Sequence, residues 1–208
     1  MLSIYSILNT SPIVPVCVIE NVSDAIPLAN ALLEGGIKTC EVTLRTPKAL
    51  EAIEAISKVL PEMIIGAGSV QNIGQFEDAI NHGSQFIVSP GLVKDVVKDA
   101  QSRNIPILPG VMTPTEILTG LSLGIEIFKL FPANISGGID FLKAVNGPIS
   151  RAEFCPTGGV NLSNMNDYLA CQNVLAVGGT WLTPAKLLQN KDFKGISELV
   201  KKSLKSIK

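Results

Sequence analysis

Residues 126–132 read Glu-Ile-Phe-Lys-Leu-Phe-Pro, a short apolar run with strand composition and a proline at its end. Strands that are buried on both faces have such nearly continuous hydrophobic sequences. Lys129 lies within this run, and a buried ammonium group is unfavourable unless it is paired or becomes neutral. A neutral lysine is a nucleophile that can form a Schiff base with a ketone. An isolated lysine in a strand more often extends its tip to solvent, so the rest of the chain must decide between the two interpretations.

Short β-rich runs of this kind recur along the whole chain, separated by segments with helical spacing of apolar residues. The predicted strands are 13–19, 39–44, 63–67, 85–88, 106–108, 126–130, 153–156 and 174–177. Helix starts are indicated by caps followed by proline or acidic residues, at Ser23-Asp24, Thr46-Pro47, Thr113-Pro114-Thr115-Glu116 and Thr183-Pro184.

Strands that alternate with helices predict a parallel sheet. Eight units in one series predict an α/β protein with a closed (β/α)8 TIM barrel. We expect residues 1–208 to form this barrel as a single domain, with an extra helix in the first ten residues. An open doubly wound sheet is the alternative, but the GxGxxG fingerprint of dinucleotide binding is absent after the first predicted strand.

Composition excludes several classes of function. The 208 residues include 17 Lys plus Arg and 18 Asp plus Glu, and this balance gives no electrostatic footprint for nucleic acid or an anionic membrane. No apolar stretch is long enough to span a bilayer, and the first residues lack the basic region of a secretory signal. Four widely spaced cysteines and one histidine argue against a zinc site. We expect a cytoplasmic protein without a metal.

Glycines and polar residues gather at the carboxyl ends of the predicted strands, whereas the opposite loops carry little besides turn residues. In a barrel the carboxyl ends form the catalytic face. The asymmetry therefore favours a catalytic role for Lys129. The segments concerned are 41–45, 66–69, 89–91, 109–110, Lys129, 157–159 and 178–180.

Glu41 belongs to the second predicted strand and Lys129 to the sixth, and these strands are opposite each other in an eight-stranded barrel. Alternate strands supply the side chains of one interior layer, so the carboxylate and the amine are expected to face each other. A buried salt bridge is one interpretation of the pair. The other is a nucleophile with a general acid/base beside it.

Three further segments are candidates for binding anions. The guanidinium of Arg45, just beyond the second strand, matches a carboxylate, although it could equally be a solvated loop residue. Thr157-Gly158-Gly159 and Gly178-Gly179-Thr180 follow the seventh and eighth predicted strands. In this fold these two loops often bind phosphate through backbone N–H groups and hydroxyls, although glycine pairs can also be simple turns.

With these residues in place, the sequence closely resembles the class I 2-keto-3-deoxy-6-phosphogluconate (KDPG) aldolases, a family that includes 4-hydroxy-2-oxoglutarate (KHG) aldolases. The resemblance spans nearly the whole chain, and its motifs occur in the family's order and spacing. They are Glu-Val-Thr-Leu-Arg-Thr (41–46), Gly-Ala-Gly-Ser-Val (66–70), Ser-Pro-Gly (89–91), Pro-Gly-Val-Met-Thr-Pro-Thr-Glu (109–116), Phe-Lys-Leu-Phe-Pro-Ala (128–133) and Phe-Cys-Pro-Thr-Gly-Gly-Val (154–160).

The resemblance implies a Schiff-base aldolase and a homotrimer. Lys129 would be the nucleophile and Glu41 the general acid/base, with no cofactor or metal. The remaining implied site residues are Arg45 and Ser69 for the pyruvyl carboxylate region, Pro90, Phe131 and Thr157 for the rest of the substrate pocket, and Gly158, Gly159, Gly179 and Thr180 for phosphate. Two positions depart from the family: Ser69 stands where threonine is usual, and Ile19-Glu20-Asn21 lacks the basic residue that many members carry after the first strand.

The implied reaction is cleavage of 2-keto-3-deoxy-6-phosphogluconate to pyruvate and glyceraldehyde 3-phosphate. The change at Glu20 leaves the preferred aldehyde open, so 4-hydroxy-2-oxoglutarate and 2-keto-3-deoxy-6-phosphogalactonate are alternative substrates. A phosphosugar isomerase or epimerase barrel, or a non-catalytic sensor of a phosphorylated ligand, would share the phosphate loops. Neither of these classes requires a buried lysine.

Overall fold

The computed structural model describes residues 2–207, which contain nine β-strands and ten α-helices in alternation. The strands are β1 (Ile13–Cys17), β2 (Thr39–Thr43), β3 (Ile64–Gly68), β4 (Phe86–Val88), β5 (Ile107–Leu108), β6 (Gly110–Val111), β7 (Ile127–Leu130), β8 (Glu153–Phe154) and β9 (Val177–Gly179). The helices are α1 (Ile4–Leu8), α2 (Ala25–Gly35), α3 (Ala49–Val59), α4 (Ile73–Asn81), α5 (Lys94–Ser102), α6 (Pro114–Ser122), α7 (Gly138–Asn146), α8 (Met165–Leu169), α9 (Ala185–Gln189) and α10 (Phe193–Lys205).

The strands pair in parallel, as their alternation with helices predicts. One sheet has the order β5-β4-β3-β2-β1-β9 and a second has the order β6-β7-β8. Isolated parallel bridges join Phe154 to Val174 and Thr157 to Gly178, next to β8 and β9. The chain thus forms an α/β fold with a curled parallel sheet, in which β2 and β7 bring Glu41 and Lys129 face to face.

Two strand predictions differ from the structure in informative ways. The fifth predicted strand continues past Leu108, but Pro109 has no N–H and splits it into β5, which pairs with β4, and β6, which pairs with β7. The eighth predicted strand, 174–177, lies too early. β9 includes Gly178 and Gly179, which pair with Val14 and Pro15 of β1, so tertiary pairing outweighs the poor strand propensity of glycine.

The buried apolar residues form two clusters, one on each face of the sheet. The larger cluster lies between the strands and the surrounding helices and includes Val42, Phe128 and Leu130. The smaller cluster includes Val14 and Ile127 and also Ile7 and Leu8 of α1. Side chains two residues apart in a strand point to the same face, so Lys129 projects from the face of the smaller cluster.

The helix starts are correctly predicted in one case and wrong in another. Thr113 and Glu116 form a capping box at α6: the Thr113 hydroxyl accepts from the Glu116 N–H at 3.3 Å, and Glu116 accepts from the Thr113 N–H at 2.8 Å. The Thr46 hydroxyl instead donates to the Ile19 carbonyl at 2.6 Å, and α3 begins at Ala49 without a side-chain cap. Every helix within residues 2–207 is too short or too polar to cross a bilayer.

Candidate active site

A buried ion pair occupies the middle of the candidate site. The Nζ atom of Lys129 lies 3.0 Å from Oε1 and 3.2 Å from Oε2 of Glu41, and the two residues are 4% and 3% exposed. Since the residues are 88 positions apart in the sequence, the fold alone brings them together. The ammonium group of Lys129 is therefore paired with the carboxylate of Glu41 from β2.

A glycine on the neighbouring strand β3 leaves room for this pair. Glu41 is in register with Gly66, and Thr43 is in register with Gly68. A methyl group placed at Gly68 would lie 2.5 Å from the Glu41 Cγ and 2.6 Å from its Cδ, so the carboxylate occupies the space that the missing side chain leaves free. In the sequence, Gly68 stands out only as part of a motif, because no local pattern connects it with Glu41.

Apolar and weakly polar groups surround the amine. The Nζ of Lys129 lies 5.2 Å from the centre of the Phe131 ring, which places the aromatic face beside the nitrogen. Cys155 follows β8 directly and is 1% exposed. Burial raises the pKa of its thiol to about 12, although the positive charge of Lys129 acts in the opposite direction. The thiol is thus uncharged at neutral pH and adds no second anion to the pair.

Arg45 and Ser69 lie together at the rim of the site. The Arg45 Nε donates to the Ser69 Oγ at 3.3 Å, and the arginine is otherwise exposed to solvent. Ser69 has a φ of 63°, a left-handed conformation that is uncommon for residues other than glycine. Backbone strain of this kind is concentrated at functional sites, where it fixes the direction of a side chain.

Pro90 lies beside β6, the strand that pairs with the lysine-bearing strand β7. A methyl group at Gly110 would lie within 2.8 Å of the Gly91 N and would overlap the Pro90 carbonyl, so these backbones are in close contact. Gly110 is itself in register with Lys129. The structure therefore brings Pro90 close to the strand position next to the amine.

The predicted phosphate loops keep several backbone donors available. Within residues 2–207, the N–H groups of Gly158, Gly159 and Thr180 donate to no protein acceptor. Gly158 and Gly159 have φ values of 97° and 78°, and Thr157 is bridged to Gly178, which joins the two loops side by side. Consecutive N–H groups in such conformations form a concave surface that suits anions.

A cavity of about 440 Å³ begins at Thr180 and lies between the segments that follow β1 and β9. Glu20 and Asp24 also line it, together with apolar residues of α2 and α9. No pattern in the sequence indicates this cavity, since its walls come from opposite ends of the chain. Trp181 packs against Gly179, and its buried Nε1 has no hydrogen-bond partner among residues 2–207.

The acidic, thiol and imidazole side chains of the described residues are scattered. Across residues 2–207, no three His, Cys, Asp or Glu residues are grouped so that they could hold an ion. His82 ends α4, and its Nδ1 lies 2.6 Å from the Asp78 carbonyl oxygen, far along the chain from the ion pair.

Comparison with known proteins places this site in a family. The sequence matches the aldolase family described as KDPG and KHG aldolase over residues 4–199. The KHG/KDPG aldolase of Escherichia coli K12 is 44% identical over 203 residues, which cover 98% of this chain and 95% of that protein.

Two solved structures extend the similarity to three dimensions. A KDPG aldolase from Legionella pneumophila, with pyruvate captured as a covalent carbinolamine intermediate, has a TM-score of 0.94 and 42% identity, and the alignment covers 96% of this chain and 97% of that one. The 2-keto-3-deoxy-6-phosphogluconate aldolase of Zymomonas mobilis ZM4 with 3-phosphoglycerate has a TM-score of 0.91 and 41% identity, with coverage of 96% and 93%. With a match that spans most of its length, the chain belongs to the KDPG and KHG aldolase family.

Proposed function

We propose that this protein is a class I aldolase that cleaves 2-keto-3-deoxy-6-phosphogluconate to pyruvate and glyceraldehyde 3-phosphate. The observation that carries the proposal is the buried contact between Lys129 and Glu41, in which both carboxylate oxygens lie within 3.2 Å of the amine. A buried amine beside a carboxylate is the arrangement that a reaction with a covalent amine intermediate uses. The relatives support the same chemistry, since one of them holds pyruvate as a carbinolamine.

In the proposed mechanism, transfer of a proton from Lys129 to Glu41 leaves a neutral amine that attacks the C2 ketone of the substrate. Glu41 gives that proton to the departing hydroxyl, so that water leaves, an iminium forms and the carboxylate is again a base. The iminium then accepts the electron pair of the C3–C4 bond as that bond breaks. Glu41, directly or through water, removes the C4 hydroxyl proton and later helps to protonate the enamine at C3. Water then hydrolyses the pyruvyl imine. The iminium serves as the electron sink, so the reaction needs no metal or cofactor.

We propose that the rim residues hold the acidic end of the substrate. The Arg45 guanidinium can form paired hydrogen bonds with a carboxylate, and its contact with Ser69 keeps the two groups adjacent. Pro90, Phe131 and Thr157 would form the walls around the three carbons of the pyruvyl group. Phe131 already lies against the amine nitrogen, which supports this placement.

For the other end of the substrate, we propose a phosphate site at Gly158, Gly159, Gly179 and Thr180. The unengaged N–H groups of three of these residues and the adjacent Thr180 hydroxyl support it. Glu20 and Lys191 line the same cavity as Thr180; the negative charge of Glu20 opposes a phosphate at that edge, and the positive charge of Lys191 favours one. The balance between these groups would set the preference between phosphorylated and non-phosphorylated aldehydes.

We propose that residues 1–208 form a single closed (β/α)8 barrel domain that assembles as a cytoplasmic homotrimer. The close succession of β5 and β6, and the bridges between the ends of β8 and β9, support closure of the sheet. α1 precedes the first strand and packs on the smaller cluster, as an extra N-terminal helix would. Exposed apolar side chains at Met112, Leu118 and Ile135 support an interface between copies.

Trapping with borohydride tests the proposed function directly. Incubation with pyruvate and sodium borohydride should add one reduced pyruvyl group to the chain, and peptide mapping should place it on Lys129. The Lys129→Met variant is the control and should gain no mass. Absence of an adduct from the unaltered protein would rule out the Schiff base. Rates with the phosphogluconate, phosphogalactonate and 4-hydroxy-2-oxoglutarate substrates, measured side by side, would then identify the preferred one.

A further inference from the structure

Two buried positions of β3 are occupied by glycine although their backbone conformation does not require it. Gly66 and Gly68 lie in a regular strand, and neither has a positive φ. Glycine weakens a strand because it has no side chain to pack and loses more entropy on folding. What distinguishes the two positions is the neighbour that each would crowd: the Phe86 ring at Gly66 and the Glu41 side chain at Gly68.

We infer that Gly68 is a positioning residue for the proposed general acid/base, because its missing side chain leaves the space in which the Glu41 carboxylate contacts Lys129. The inference rests on the proposed function and adds to it a residue that touches neither substrate nor amine. A methyl group at Gly68 would lie 2.5 Å from the Glu41 Cγ, which no side-chain contact tolerates. The overlap also includes the Cδ, at 2.6 Å, so a rotation of the carboxylate about its last bond cannot relieve it.

In Gly68→Ala, the Glu41 side chain has to rotate about its Cα–Cβ and Cβ–Cγ bonds. That movement takes its carboxylate oxygens away from the amine. The present contact is held at 3.0 Å within a site where both partners are nearly fully buried. Proton transfer by a positioned side chain contributes about 10²–10⁴-fold to a rate and requires hydrogen-bond distance. Imine formation uses Glu41 only to take a proton from Lys129, whereas proton transfer at carbon also requires the carboxylate to reach the methyl group of the bound pyruvyl unit. The two rates therefore depend on the position of the carboxylate to different degrees, and they can be measured separately.

The test compares Gly68→Ala with Gly66→Ala, a change of the same size two residues earlier on the same face of the same strand. Imine formation is measured as the rate of borohydride trapping of pyruvate. Proton transfer is measured as exchange of the pyruvate methyl hydrogens with deuterium, followed by NMR. For Gly68→Ala we expect exchange to slow at least about 10-fold more than trapping. For Gly66→Ala, where the three atoms nearest to the new methyl group all belong to the Phe86 ring, both rates should change by the same factor.

A second pair of variants keeps the inference testable where Gly68→Ala folds poorly. In a Glu41→Ala background the space beside residue 68 is vacant, so adding Gly68→Ala should leave stability, trapping and exchange within twofold of Glu41→Ala alone. If the double variant unfolds, or if Gly68→Ala keeps the normal ratio of exchange to trapping, the inference is wrong. If the unaltered protein traps no pyruvate, the proposed function fails instead, and that outcome is distinct.

Discussion

The side chains of Lys129 and Glu41 have no other ion-pair or hydrogen-bond partner within residues 2–207, so each charge depends on the other. Removing both charged groups of a buried pair is often tolerated, whereas removing one leaves an uncompensated charge that costs about 3–5 kcal/mol. Loss of either partner should therefore destabilise the fold, in addition to any effect on the proposed catalysis. The two effects can be separated by substitution.

We expect Lys129→Met to lower turnover by several orders of magnitude and also to lower the free energy of unfolding. The double variant Lys129→Met with Glu41→Gln should recover most of that stability but none of the activity, because the nucleophile is still missing. Urea unfolding and a coupled pyruvate assay measure the two effects. Lys129→Arg should be inactive as well, since a guanidinium stays protonated and forms no imine. Near-normal turnover in any of these variants would contradict the assignment of Lys129.

The thiols provide a second test at the level of residues. Contact with the Cys40 thiol, followed by burial, raises the pKa of Cys17 well above its usual value, and burial raises the pKa of Cys155 to about 12 and that of Cys171 in the same direction. A raised pKa leaves the thiol protonated at neutral pH, and only the thiolate reacts readily with alkylating reagents. Iodoacetamide at pH 7.5 should therefore modify none of these residues in the native protein.

Mass spectrometry of intact protein measures this protection. The same treatment in urea should add four groups, since all four cysteines are free thiols. Rapid labelling of Cys155 in the native state would mean that the interior beside Lys129 is more open than the structure shows.

At the level of elements, features that arise from local patterns could be predicted from the sequence. The lysine in the apolar run 126–130 and the capping residues at Thr113 and Glu116 could be placed because period, propensity and cap chemistry act over a few residues. The role of Gly68 beside Glu41 and the cavity at Thr180 could not. They depend on which segments become neighbours in space, and no spacing within a single segment contains that information.

The capping box of α6 gives a prediction for one element. Thr113→Ala should lower the free energy of unfolding by about 1 kcal/mol, because the Glu116 N–H loses its acceptor. Thr115→Ala is the matched control: Thr115 is equally exposed, and its hydroxyl makes no hydrogen bond within residues 2–207, so a change within about 0.5 kcal/mol is expected. Urea unfolding at one fixed protein concentration holds the contribution of assembly constant for variants of equal mass in solution. Equal losses in the two variants would contradict the cap.

The loop after β8 gives a prediction that separates the two ends of the substrate. Gly159 has a φ of 78°, and a side chain there would lie 2.5 Å from the Asn134 Cβ, so Gly159→Leu must displace the loop. We expect kcat/KM to fall far more for the phosphorylated substrate than for 4-hydroxy-2-oxoglutarate. Arg45→Ala should depress both together, since every 2-keto acid presents the same carboxylate. Remote binding energy can act in the transition state, so the loss can appear in kcat as well as in KM.

The control for Gly159→Leu is Gly124→Leu, which changes another glycine with positive φ, 79°, at the opposite end of the strands. This control variant should affect stability and leave the ratio of kcat/KM for the two substrates unchanged. Equal losses on both substrates in a folded Gly159→Leu protein would place the phosphate site elsewhere.

At the level of the whole molecule, three exposed apolar residues lie between β6 and α7 along the chain. Met112 follows β6 and Ile135 lies in the segment after β7, and these two strands are paired, so both residues emerge at neighbouring strand ends. Leu118 of α6 is 56% exposed and Ile135 is 70% exposed. We propose that these three residues form one apolar surface. Such a surface is typical of an interface between protein chains.

If this surface holds a trimer together, charges placed on it should dissociate the assembly. We expect the unaltered protein to have a mass of about 66 kDa in solution, three times the 22.0 kDa of one chain. Leu118→Arg combined with Ile135→Arg should give a species of one chain, because a buried unpaired charge at each contact opposes association. Val59→Arg is the control, since Val59 is also exposed, at 54%, but ends α3 away from this surface. Light scattering coupled to size-exclusion chromatography measures all three masses, and a double variant that remains at the mass of the unaltered protein would place the interface on another face.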